Sequence, residues 1–198
     1  MLIAVSAVGA AGGWTEKHFL PEPFRTRLYM GHKVSFCGAG GVGKTSLARR
    51  LTGGGFSPSE KMTIGIAHFV KRVETNDGDL TLVIWDLGGE ERFRFLAPLF
   101  LRGTRIVVYV FDVSRYETFV EIDVWRRLVE DAVGRVPGIL VGNKVDLPRV
   151  VARGEAEAYA METGMLGYFE TSVATGAGVD EVFWALVRAV RENADPRV

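Results

Sequence analysis

The 198-residue sequence predicts an α/β fold: a mostly parallel six-stranded sheet with one antiparallel edge strand and helices on both faces. Three observations predict it. Short apolar runs alternate with longer stretches of helical period, the pattern of strand–helix–strand units in a parallel sheet. Two adjacent runs, 66–73 and 80–85, are joined by the turn sequence Asn76-Asp77-Gly78-Asp79, so one hairpin places an antiparallel strand at the sheet edge. Each polar motif follows a predicted strand directly, at the carboxyl edge where open α/β sheets hold their ligands.

The elements follow in order. Residues 32–37 are apolar enough for a first strand, and residues 46–51 form a helix with Leu47, Ala48 and Leu51 on one face. Residues 53–65 carry four glycines and a proline and read as a mobile loop before the hairpin. Residues 90–103 are a loop and short helix whose Phe93, Phe95, Leu96, Leu99 and Phe100 exceed what one helical face needs. They are either core or partly an exposed partner surface. Residues 105–113 hold a continuous apolar run, the mark of a strand buried on both faces. A helix over 117–133, a strand over 138–142, a helix over 153–161 closed by Gly164 and a strand over 166–170 come next. Val179, Val182, Phe183, Leu186, Val187 and Val190 give the last helix its apolar face. Trp85, Trp125 and Trp184 are expected in the core.

Composition narrows the function classes. The chain fits one domain, residues 31–194, with an N-terminal extension over 1–30 and a short tail over 195–198. Lys+Arg and Asp+Glu balance at 24 each, which gives no electrostatic case for nucleic acid. The single cysteine, Cys37, allows no intramolecular disulfide and reads as a small core residue; the reading is cytoplasmic. His18, His32 and His68 have no metal-ligand spacing. Residues 1–13 are apolar and small, without Lys or Arg; they read as an arm that packs on the domain or frays, and membrane contact is expected only if this segment mediates it. Leu2 in place of glycine and the absence of cysteine in residues 192–198 argue against N-myristoylation and prenylation, so no lipid anchor is expected.

The strongest motif is Gly38-Ala39-Gly40-Gly41-Val42-Gly43-Lys44-Thr45, the G-x-x-x-x-G-K-[ST] phosphate loop between a strand and a helix. Its glycines let successive N–H groups turn inward onto phosphate oxygens, and the start of the helix at Ser46 adds its positive end. Lys44 would reach the outer phosphates and the Thr45 hydroxyl would face Mg²⁺, which makes this a P-loop NTPase fold. A second motif, Asn143-Lys144-Val145-Asp146, follows the strand ending at Gly142. An aspartate there can accept two N–H donors from a guanine edge, whereas adenine would leave it unpaired. Asn143 can brace the loops and the Lys144 stem can cover the base face. Thr171-Ser172-Val173-Ala174 follows the last strand and can offer backbone N–H groups to the guanine O6. Taken alone, Asn143 to Asp146 is equally an ordinary polar loop.

These motifs, with Asp86-Leu87-Gly88-Gly89, stand in one order and spacing, and over residues 32–192 the chain resembles a Ras-superfamily small GTPase. Glu91-Arg92-Phe93-Arg94 and Leu101-Arg102-Gly103 look Rab-like, while Trp85-Asp86-Leu87-Gly88-Gly89 looks Arf-like. The resemblance implies GTP and GDP as ligands with Mg²⁺, and a switch in which the γ-phosphate orders two loops. It implies that Thr63 binds Mg²⁺ and the γ-phosphate, that Phe56 packs on guanine, that Asp86 supports the metal and that the Gly89 N–H meets the γ-phosphate. Effectors and regulators are expected to bind residues 56–66 and 88–103.

Two positions depart from the family pattern. Glu90 stands where the family has its catalytic glutamine; a carboxylate accepts a hydrogen bond from water but cannot donate toward the phosphoryl group. Slow hydrolysis that awaits an activating protein, carboxylate-assisted hydrolysis and a binding module with negligible turnover are the three readings. Ala174 replaces the usual lysine of the last guanine loop, which removes some cover from the base. The first switch offers no arginine of its own, Lys61 being the nearest cation.

Overall fold

The structure, a computed structural model, describes residues 31–55, 57, 62–75 and 78–193, apart from the Phe93 side chain. The expectations for the N-terminal extension, Phe56, Lys61, the Asn76-Asp77 turn tip and the tail lie outside the described residues.

Strand β1 (His32–Cys37) leads through the glycine loop into α1 (Lys44–Leu51), and the hairpin strands are β2 (Ile66–Val73) and β3 (Leu80–Leu87). A 3₁₀ segment (Glu91–Leu96) runs into α2 (Ala97–Leu101). Then come β4 (Ile106–Asp112), α3 (Tyr116–Val133), β5 (Gly138–Asn143), α4 (Arg153–Glu162), β6 (Tyr168–Thr171) and α5 (Val179–Glu192). The six strands form one sheet in the order β2-β3-β1-β4-β5-β6, with β2 antiparallel to β3 and every other pair parallel. The last strand begins two residues later than its sequence suggests.

Strand β4 shows why an unbroken apolar run means a central strand. Side chains alternate across the pleat. Ile106, Val108 and Val110 therefore pack on Leu47 and Leu51 of α1 and on Val182, Leu186 and Val190 of α5. Val107, Tyr109 and Phe111 pack on Leu101 of α2, Ile122, Trp125 and Val129 of α3, and Ala156 and Ala160 of α4. Cys37 is fully buried, and burial pushes its thiol pKa up to about 12.

The tryptophan expectation needs one correction. Trp85 and Trp125 are buried, but Trp184 is 52% exposed. One residue along a helix turns the side chain by about 100°, so Trp184 leaves the face that Val182, Leu186 and Val190 bury. The apolar excess over residues 90–103 divides: Ala97 and Leu101 are core, whereas Phe95 and Leu99 face outward. Among the described residues no helix is long and apolar enough to cross a membrane.

Candidate functional site

The parallel strands β1, β4, β5 and β6 end on one edge of the sheet, and the loops that leave them surround a cleft of about 380 Å³. Gly40, Gly41, Gly43, Lys44, Thr45 and Ser46 form one wall, Met62 and Thr63 a second, and Lys144, Asp146, Val173 and Ala174 the far end. A hollow of about 440 Å³ lies elsewhere, between Pro98 of α2 and Val124, Leu128 and Ala132 of α3, and holds none of the motif residues.

At the phosphate-loop end, α1 starts without a side-chain cap and with no acidic residue in its first turn. The start of α1 thus carries no negative side chain to offset the positive end of the helix dipole. Gly43 precedes α1 with φ of 99°, a left-handed conformation that glycine adopts without a Cβ clash. Lys44 is buried and donates to the carbonyls of Gly38 at 2.9 Å and Ala39 at 2.7 Å. Burial pushes its pKa down, and the nearby Asp86 carboxylate works against that shift. Gly89 crosses this point so closely that an added Cβ would strike the Ala39 carbonyl and Lys44 Nζ.

The loop that carries Thr63 and the loop that leaves β3 meet here. Thr45 Oγ1 lies 2.7 Å from Thr63 Oγ1 and 2.6 Å from Asp86 Oδ2, and Thr63 Oγ1 donates to the same carboxylate oxygen at 3.1 Å. Gly88 donates its N–H to Gly65 O at 2.8 Å, which ties the first loop to the second. Hydroxyl and carboxylate oxygens gathered this closely fit the all-oxygen preference of Mg²⁺. Among the described residues no cluster of three His, Cys, Asp or Glu side chains offers another metal site. Glu90 stands beside the phosphate loop: a methyl group added at Gly40 would lie 3.8 Å from Glu90 Cγ, and the Glu90 carboxylate pairs with Arg92.

At the other end, Asn143 is fully buried and joins three segments. Its Nδ2 donates to Val42 O at 2.8 Å, and its Oδ1 accepts from Thr171 Oγ1 at 3.0 Å and the Val173 N–H at 3.3 Å. Ser172 is buried; its N–H donates to Ala177 O and its Oγ accepts from the Thr175 N–H. Lys144 has φ of 67°, the one non-glycine residue with positive φ among the described residues. That conformation costs about 1 kcal/mol or more and marks a position fixed by its surroundings. Its ammonium group donates to Gly41 O at 2.8 Å and lies 2.7 Å from Asp112 Oδ2. Asp146 lies at the exposed rim.

Two residues here escaped the sequence reading. Asp112 is buried at the carboxyl end of β4, and Arg115 follows it into α3. Asp112 could have been noticed as a charge closing an apolar run at the ligand edge; nothing local singles out Arg115.

Groups of this chemistry, at the carboxyl edge of a sheet with this order, define the class of P-loop nucleotide-binding proteins. The model of the Ras family matches residues 33–192. Ras-related protein RABG3f of Arabidopsis thaliana is 37% identical over 185 residues, covering 89% of this chain and 88% of its own length. The Ypt/Rab-type GTPase ypt7 of Schizosaccharomyces pombe is 37% identical over 171 residues, covering 82% of this chain and 83% of its own. A putative ras-related protein Rab-5B of Dictyostelium discoideum is 36% identical over 171 residues, with 85% and 79% covered. The chain belongs to the Ras family and is a Rab-like small GTPase, a nucleotide-binding switch.

Proposed function

We propose that the protein binds GTP and GDP together with Mg²⁺ and hydrolyses GTP to GDP and phosphate, slowly in the absence of an activating protein. The observation that carries this reading is the meeting of Thr45, Thr63 and Asp86 through one carboxylate oxygen, with Lys44 and Gly89 in contact behind them. In this reading Lys44 and the loop N–H groups of residues 38–46 hold the phosphates, and Asp146 with the Ser172–Ala174 loop reads guanine. Phe56 would cover the base. Thr45, Thr63 and Asp86 would hold Mg²⁺, which, when bound, neutralises charge shared by the β- and γ-phosphates. The Thr63 hydroxyl and Gly89 N–H then sense the γ-phosphate, and losing it would free both loops. Residues 31–194 would form this guanine-nucleotide domain, and a cytoplasmic location suits its ligands.

A second reading rests on Glu90. Its carboxylate is turned to Arg92 and has no N–H to offer the transferring phosphoryl group, which favours a GTP-bound interaction module with negligible turnover. In either reading the exposed Met62, Ile64, Phe95 and Leu99 supply apolar surface to effectors and regulators. Mass identification of the co-purifying nucleotide, then single-turnover GTP hydrolysis by wild type and Glu90→Gln, separates the readings. A slow but measurable wild-type rate that rises about tenfold in Glu90→Gln is expected. Rates agreeing within about twofold would remove the weight placed on this side chain.

A further inference from the structure

Asp112 is a carboxylate only 1% exposed, and it holds two cations. Arg115 Nε donates to Asp112 Oδ2 at 3.1 Å, and Lys144 Nζ lies 2.7 Å from the same oxygen. Each cation then grips a carbonyl of the phosphate loop. Arg115 Nη2 donates to Gly40 O at 3.2 Å and Lys144 Nζ donates to Gly41 O at 2.8 Å. The two carbonyls are consecutive in the chain. The remaining partners of Asp112 are the Ser114 N–H and hydroxyl, at 2.9 and 2.6 Å on Oδ1. The buried charge is therefore fully matched, the condition under which such a group can be kept. Burial works to raise the Asp112 pKa, but the hydrogen bonds from Lys144 and Ser114 outweigh it and hold the carboxyl below the usual carboxylate range.

A trans peptide unit points its C=O and N–H in opposite directions. Holding Gly40 O and Gly41 O outward consequently turns the N–H groups of Gly41 and Val42 toward the cleft. A charge-assisted bond on the carbonyl also polarises the amide on its far side. The support reaches the end where Glu90 stands, since Glu90 flanks the same Gly40. The backbone beneath the clamp is pinned: the Arg115 N–H donates to Asp112 O at 3.0 Å, and Thr118 Oγ1 donates to Arg115 O at 2.7 Å.

We propose that Asp112 and Arg115 are positioning residues for nucleotide: with Lys144 they form a two-cation clamp that fixes successive phosphate-loop carbonyls and so aims the loop's N–H groups at the phosphates. The inference rests on the guanine-nucleotide reading of the cleft. Loss of the clamp loosens the grip on phosphates, while Asp146 and the guanine loop are left in place.

The test is the dissociation rate of a fluorescent GDP analogue from the full chain, with single-turnover GTP hydrolysis alongside. Arg115→Ala is expected to speed GDP release about fivefold and Asp112→Asn about twentyfold, as loss of one or both charge-assisted grips implies. Arg115→Lys keeps the charge and recovers at least half of the loss on a logarithmic scale. Arg127→Ala, which removes an exposed arginine paired with Asp123 on the same helix, serves as control and stays within about twofold of wild type. Arg115 is 39% exposed, so its variants should fold even if Asp112→Asn does not. Release from Arg115→Ala within twofold of wild type, or acceleration by Arg127→Ala equal to it, overturns the clamp while GDP binding itself stands. A wild-type protein that binds no GDP overturns the guanine-nucleotide reading, and the clamp with it.

Discussion

Asn143→Ala is the most demanding test of the site, because one fully buried amide joins the phosphate loop to the loop that follows β6. Truncation deletes one donor and one acceptor. It strands Val42 O, the Thr171 hydroxyl and the Val173 N–H, which bond to Asn143 at 2.8, 3.0 and 3.3 Å. A buried group left unsatisfied costs about 1–3 kcal/mol, and the long Val173 contact belongs at the bottom of that range. The expected loss is about 3–5 kcal/mol, a large part of the stability of an ordinary domain. Urea unfolding at fixed GDP and Mg²⁺ measures it as a lower midpoint with an unchanged slope. Thr171→Val removes only the hydroxyl side of one bond, so a double-mutant cycle should return a coupling of about 1 kcal/mol. Asn143→Asp keeps the acceptor but sets a carboxylate oxygen against Val42 O, and should cost about 2 kcal/mol or more. A loss below about 1 kcal/mol for Asn143→Ala, or no coupling to Thr171, would show that the amide is not the joint described.

Two further outcomes follow from other parts of the molecule. Asp146→Ala should weaken GTP binding by at least about 100-fold and erase the preference over ATP, read by competition titration; retained preference would move guanine recognition elsewhere. His68 is held neutral, chiefly by burial and then by Lys33, with its pKa lowered to about 4 from 6.5. The neutral form is favoured by folding, so its contribution is complete above pH 6.5 and falls away between pH 6.5 and about 4. Stability should drop by about 2 kcal/mol from pH 7 to pH 5, and His68→Phe should remove that part of the slope; an unchanged slope would count against it.

The fold was legible because its signals are local. A strand buried on both faces shows itself by an unbroken run, as in β4, and the glycine loop announces the strand and helix beside it. Trp184 was misjudged because residue type was read without its angle around α5, although the neighbouring valines already fixed that face. The division of residues 90–103 could not be read at all. Phe95 and Leu101 are equally apolar, yet Leu101 at the end of α2 joins the cluster of Ile122 and Trp125, while Phe95, in the 3₁₀ segment before α2, is exposed.

That the motif residues share one cleft was legible for the same reason. Most residues that line the cleft lie in short motifs, because one loop presents them together. Residues that hold those loops in shape need no motif: Asp112 acts on Gly40 and Gly41 from a different strand, through cations contributed by two further segments. Such support is invisible to spacing, since no sequence distance is imposed between a buried carboxylate and the carbonyls it steadies. Glu90 is the reverse case, plain in the sequence. Its neighbours are Arg92, which takes its carboxylate, and Gly40, whose carbonyl Arg115 holds. The altered position and the clamp therefore share one loop residue. If both act on the γ-phosphate end, Glu90→Gln and Arg115→Ala should be non-additive in single-turnover rate, whereas independent roles would give the product of the two effects.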